Sequence, residues 1–159
     1  MATPSMHQGQ HALRLLAALS AISAAWSLAL PAKASNLEGF AGFWITPDQS
    51  VVEIKPCAES SHLCGYLVVA REYGVDALNP DVARRSRPIC GLQILELRRF
   101  SDGVWRDGSV YDPEVGKTYK AALRMREGKL FLRGYLGTEV FGETEVWTTA
   151  NDFRKRCTP

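Results

Sequence analysis

Histidine is nearly absent from this chain beyond its first 34 residues, where His62 stands alone. A single imidazole with no serine motif around it gives no nucleophile–base pair, and His62 reads as a solvated loop residue. Cysteine is scarce as well. The four present, Cys57, Cys64, Cys90 and Cys157, include no C-x2-C pair, so neither a metal site nor any other cofactor is predicted. A D-x-D-x-D-G calcium loop is missing. Gly116-Lys117-Thr118 resembles the end of a phosphate-binding loop, but Tyr111 occupies the place of its first glycine and no helix follows. A charge excess is lacking too: Arg14 and Lys33 precede residue 35, which leaves 17 of the 19 basic residues against 17 acidic ones. That balance argues against nucleic acid or an anionic membrane surface as partner.

One long apolar run is present, from Leu15 to Leu30, preceded by Arg14 and followed by Pro31-Ala32-Lys33-Ala34. A short apolar core with small residues at its exit predicts a signal peptide over residues 1–34, cleaved before Ser35. Residues 35–159 then form one domain in the periplasm, or outside the cell, with no membrane span. No cysteine follows the apolar core directly, so no lipid anchor is expected. An even cysteine count in an exported chain predicts disulfides in place of a reactive thiol. Four cysteines allow three pairings. Cys57 and Cys64 flank a short polar segment between two strand-like runs, which favours a hairpin staple there and leaves Cys90 to Cys157.

Period-two runs separated by turn residues predict strands over 43–46, 51–55, 65–71, 92–100, 104–111, 118–126, 129–136 and 143–149. No helical periodicity interrupts them. About eight short strands joined mostly by tight turns predict an all-β fold, a single antiparallel up-and-down barrel, because closure removes exposed edges. A two-sheet sandwich is the alternative.

If Glu127-Gly128 is a two-residue hairpin loop, Met125 pairs with Leu130, Leu123 with Leu132 and Ala121 with Gly134 on one apolar face. Lys120, Ala122, Arg124, Phe131, Arg133 and Tyr135 then face outward. Ala121 and Gly134 leave space inside, to which Gly108, opposite Leu97, adds. Either a ligand or a large side chain such as Trp44 fills it.

Gly42-Phe43-Trp44 with Arg154 and Arg156 resembles the calycin signature, in which the Trp packs against a late Arg at the barrel's end. Further motifs are Asn79-Pro80-Asp81, Arg87-Pro88, Trp105 with Gly108, Tyr111-Asp112-Pro113, Gly116-Lys117-Thr118-Tyr119, Leu132-Arg133-Gly134-Tyr135 and Trp147-Thr148. Together they resemble a family of small exported bacterial proteins, domain of unknown function 2147. The resemblance implies a calycin-like (lipocalin-like) β-barrel of the cell envelope. It brings no activity and no catalytic residues.

The longest break in the strand pattern, residues 72–90, carries Asp76, Asn79, Asp81, Arg84, Arg85 and Arg87. Asn79 is placed to cap a short helix opened by Pro80. The same segment can form a lid over the barrel mouth, with Asp81 or Arg87 touching a ligand. Tyr111 and Tyr119 flank the next loop and supply an aromatic rim. The candidate ligand-binding residues are therefore Asp76, Asn79, Asp81, Arg87, Tyr111, Asp112, Tyr119, Ala121 and Gly134. Three function classes follow: a carrier of a small lipophilic or amphipathic molecule; an envelope interaction module using outward Phe131, Arg133 and Tyr135; and a hydrolase or isomerase built on Asp76, Asp81, Asp112 and Glu114. The first is preferred, and no catalytic residue is assigned.

Overall fold

The computed structural model describes residues 37–58, 60–71 and 74–151. Among them nine strands form one antiparallel sheet: β1 (Gly42–Ile45), β2 (Val51–Pro56), β3 (Leu63–Val69), β4 (Gln93–Leu97), β5 (Arg99–Ser101), β6 (Val104–Asp112), β7 (Lys117–Arg126), β8 (Lys129–Tyr135) and β9 (Glu143–Thr149). Each strand pairs with the next in sequence except β4, which pairs with β6, and β9 returns to β1. The result is a closed up-and-down barrel of eight strand positions, since β4 and β5 are two halves of the strand expected over 92–100. The sandwich alternative is excluded.

The break between β4 and β5 has a local cause. Asp107 bulges with φ 61°, and a Cβ on Gly108 would lie 1.7 Å from the Glu96 carbonyl oxygen. Only glycine lets the two backbones pass this closely. Gly108 therefore serves strand crossing and adds no interior space, which corrects the role expected for it.

Two hairpins set the register. Asp102-Gly103 (φ 52° and 74°) and Glu127-Gly128 (φ 51° and 70°) both place two residues in the left-handed region, the geometry that matches the twist of flanking strands. Met125 accordingly pairs with Leu130, Leu123 with Leu132 and Ala121 with Gly134, as the sequence predicts.

Alternation sends Val52, Ile54, Leu63, Leu67, Leu95, Leu97, Leu123, Leu130 and Leu132 into one continuous core with Trp44, Trp105 and Trp147. Both ends of the barrel are defined by connectivity. At one end the 37–41 turn folds back near Met125, Phe40 meets Phe100 edge-on at 5.9 Å, and Phe100 meets Trp105 at 5.4 Å. Trp44 Nε1 donates to the Phe40 carbonyl at 2.9 Å there. Trp44 thus fills this closed end, while Arg154 and Arg156 lie outside the described residues.

Cys57 and Cys64 form a disulfide across the β2–β3 connection, as expected. Cys90 is also disulfide-bonded. Its expected partner, Cys157, lies outside the described residues. His62 is not simply solvated: its Nδ1 lies 3.2 Å from Glu96 Oε1.

Candidate functional site: the open end of the barrel

The other end receives the β1–β2, β3–β4, β6–β7 and β8–β9 connections, and here the barrel is hollow. Across β7, β8 and β9 the inward side chains form successive rungs. Met125, Leu130 and Trp147 make the deepest, Leu123, Leu132 and Glu145 the next, and Ala121, Gly134 and Glu143 the last. Side-chain volume falls and polarity rises along this series. A cavity of about 970 Å³ opens where it ends, its deeper wall made by Leu67, Ile94, Val110, Leu132 and Trp147. That size, with an apolar wall at depth and a polar, charged rim, suits a small organic molecule.

Tyr111, Asp112, Tyr119 and Gly134, four of the nine candidates, lie on the cavity wall. A Cβ on Gly134 would touch Tyr119 Cβ at 3.7 Å and Val110 Cγ1 at 3.8 Å, ordinary packing distances on the cavity wall, so a side chain can start here without a clash. Ala121 is fully buried beside it, paired with both Gly108 and Gly134, and does not reach the wall.

Asp76, Asn79, Asp81 and Arg87 stand behind the wall instead of on it. The 74–92 connection is a compact loop whose neck is a bridge between Val75 and Pro88. Its centre is Asp76, fully buried, which accepts hydrogen bonds from Tyr111 Oη at 2.5 Å, Asn79 Nδ2 at 2.7 Å and Arg87 Nε at 2.8 Å. The Arg87 guanidinium also lies over the Tyr111 ring at 5.7 Å. Burial opposes the charge on Asp76, yet the bonds from Tyr111, Asn79 and Arg87 together outweigh it and hold the carboxyl below its ordinary range. Burial and the Asp76 carboxylate push the Tyr111 phenol above its own.

This clasp fixes the loop to β6 and thereby fixes Tyr111 at the mouth. The helix cap also differs from the expected one: Asp81, not Asn79, caps the short 3-10 helix Val82–Arg84, accepting from Ala83 N. Asn79 instead accepts from the backbone amide of Asp81, the cap residue two positions on.

The loops at 74–92 and 113–116 do meet, since a Cβ on Gly116 would lie 1.9 Å from the Leu78 carbonyl oxygen. Among the described residues no hydrogen bond joins their carboxylates to one another. Asp76 is enclosed by donors, Asp81 is engaged by Ala83 N and Arg84, and Asp112 accepts from Glu114 N.

On the outer surface, Arg133 points away from the cavity, as expected. It donates to the Glu139 and Val140 carbonyls at 2.6 and 2.8 Å and to Thr144 Oγ1 at 2.8 Å. Glu139 in turn meets Arg124 at 2.5 Å and Arg106 at 3.8 Å. The outward face considered for a partner thus holds the chain's own 136–142 connection.

The residues that sequence reasoning passed over are Glu143 and Glu145. Both share the inward parity of Trp147, a signal readable from period-two alternation, and both line the cavity. Glu145 accepts from Trp147 Nε1 at 2.8 Å.

The sequence model of a family described as "Uncharacterized protein conserved in bacteria (DUF2147)" matches residues 42–149. Among solved structures, protein HP1028 of Helicobacter pylori, described as belonging to the lipocalin family, is similar in fold. Its TM-score is 0.62 at 22% identity, covering 70% of this chain and 83% of that one. No curated protein matches the chain in sequence.

Proposed function

From the premise that this chain belongs to the DUF2147 family of bacterial proteins and folds as a lipocalin-like barrel, we propose that it is a binding protein. It takes a small lipophilic or amphipathic ligand into the open end of the barrel. The observation that carries this reading is the cavity of about 970 Å³, apolar at depth and open at the mouth. The candidate residues Tyr111, Asp112, Tyr119 and Gly134 contact the ligand directly. Asp76, Asn79, Asp81 and Arg87 act through the loop they hold. Export belongs to the same proposal: residues 1–34 are a cleaved signal peptide and the domain works in the periplasm. The Cys57–Cys64 bridge supports an oxidising compartment.

Gly134→Leu tests the reading, because the new side chain starts on the cavity wall at ordinary packing distance from Tyr119 and Val110 and extends into the space a ligand would occupy. Wild-type protein should bind a ten-carbon alkyl probe, followed by tryptophan fluorescence, and the variant should lose at least about tenfold in affinity while keeping its melting midpoint. Unchanged binding in a folded variant would sink the proposal.

A second reading, an envelope interaction module, is favoured by Leu136, Val140 and Phe141, which are 69%, 78% and 86% exposed on the β8–β9 connection. Loss of a cross-linked envelope partner on Phe141→Ser, with alkyl binding absent from the wild type, would favour it.

A further inference from the structure

We infer that the ligand carries a positively charged head group, an amine or quaternary ammonium on an apolar body. This rests on the binding reading above and specifies the chemistry of that same cavity. Six charged side chains line it: Asp48, Asp112, Glu114, Glu143 and Glu145 against Arg71. Among the described residues none of the five carboxylates takes part in an ion pair. The donors that reach them are neutral. Asp48 accepts from the Thr46 and Ser50 hydroxyls, Glu145 from Trp147 and Asp112 from a backbone amide. These bonds orient the carboxylates and leave their charge uncompensated. Asp48 remains ionised: burial opposes its charge, but the Ser50 and Thr46 hydroxyls hold its carboxyl below the ordinary range.

Glu143 and Glu145 carry the argument furthest. They occupy the inward-parity positions of β9, opposite Gly134 and Leu132, and are exposed at the cavity mouth.

Aromatic faces add a second, independent component. Tyr119 and Trp147 line the same cavity, and Tyr135, an outward position at the end of β8, reaches its rim; the Tyr111 ring is already covered by Arg87. Ring faces attract a desolvated cation and offer nothing to an anion. Acidic side chains above an apolar, aromatic wall therefore favour an ammonium head at the rim with its apolar body directed inward, and they repel a fatty-acid carboxylate or a sulfate in the same pose.

The test uses three probes of equal chain length, each below its micelle concentration and at low salt: decyltrimethylammonium, decyl sulfate and 1-decanol. Affinities are read by Trp fluorescence and calorimetry on the domain as exported. The ammonium should bind about tenfold more tightly than the sulfate, roughly 1.4 kcal/mol. The double variant Glu143→Gln with Glu145→Gln should remove most of that ratio while leaving decanol binding in place, since the amide oxygen introduced by Glu145→Gln can still accept from Trp147. The pair Asp102→Asn with Glu127→Gln, in turns at the opposite end, lowers the net negative charge equally and should leave the ratio intact. Equal binding of all three probes, or a ratio that the remote pair abolishes and the β9 pair does not, overturns the head-group inference while the carrier reading stands. Binding of no probe overturns both.

Discussion

Replacing Asp76 by alanine removes the acceptor on which three donors converge, and the cost follows from where those donors sit. Tyr111 Oη and Asn79 Nδ2 lose their partner in a region where Asn79 is 4% exposed, so neither recovers a full water bond. Arg87 is different. Its side chain is 34% exposed, so its guanidinium regains much of its hydration when the carboxylate goes. Breaking a buried pair by removing one partner typically costs about 3–5 kcal/mol, and partial rehydration of Arg87 lowers this to about 2–4 kcal/mol for Asp76→Ala. Urea melts should show the midpoint displaced with the slope unchanged. The pH dependence has a sign on each side. The folded pKa of Asp76 is depressed, so its contribution is present above the unfolded value near 3.8 and is lost as pH falls through the lower folded value. The folded pKa of Tyr111 is raised, so its contribution is complete below the unfolded value near 10.0 and is lost as pH rises through the higher folded value. The clasp should therefore hold between roughly pH 4 and pH 10. The acid part of its contribution should be missing in Asp76→Ala and the alkaline part in Tyr111→Phe. A loss below about 1 kcal/mol in Asp76→Ala would refute the claim that this carboxylate organises the mouth.

Gly108→Ala should destabilise by about 1–3 kcal/mol in the same melts, because its Cβ meets the Glu96 backbone at 1.7 Å and a strand must move. Gly134→Ala, with 3.7 Å of clearance, should be neutral or slightly stabilising and serves as its control. The double variant Cys57→Ala with Cys64→Ala opens a loop whose ends are 7 residues apart, which in the chain-entropy account costs about 2.5 kcal/mol; an unchanged midpoint would show that the staple adds nothing.

How legible the fold was depended on whether a feature is local. The Glu127-Gly128 turn dictates its own geometry, so the Ala121–Gly134 pairing and the outward course of Arg133 could be counted from it before any contact was known. The β4–β5 break could not, because it arises where β6 passes the Glu96 carbonyl, a contact between separate strands. Asp76 was singled out in the right loop but for direct ligand contact, because Tyr111, the partner that explains its burial, is 35 residues away. The shift of the helix cap from Asn79 to Asp81 has the same origin, since Asn79 is drawn toward Asp76 and Tyr111. Glu143 and Glu145 were within reach of the pattern. Carboxylates beside a turn are ordinarily read as solvent-facing, and these two are exposed, but only the register with Trp147 shows that they sit on the cavity side of the mouth.

The graded rungs across β7, β8 and β9 connect stability with binding. Where Met125, Leu130 and Trp147 meet, large side chains bury one another and the barrel stabilises itself. Where Ala121, Gly134 and Glu143 meet, the side chains are too small to fill the barrel's section, and Val110 and Leu132 border the cavity. Apolar surface held in this state by a rigid closed sheet gains free energy when a ligand's apolar body covers it, with little ordering cost charged against binding. Glutamates at the last two β9 rungs keep the mouth polar where it meets solvent. Selection for a filled barrel would favour Leu or Val at 143 and 145. Carboxylates at both positions, above a glycine on the neighbouring strand, make sense when the mouth must remain open and must discriminate by charge what enters it.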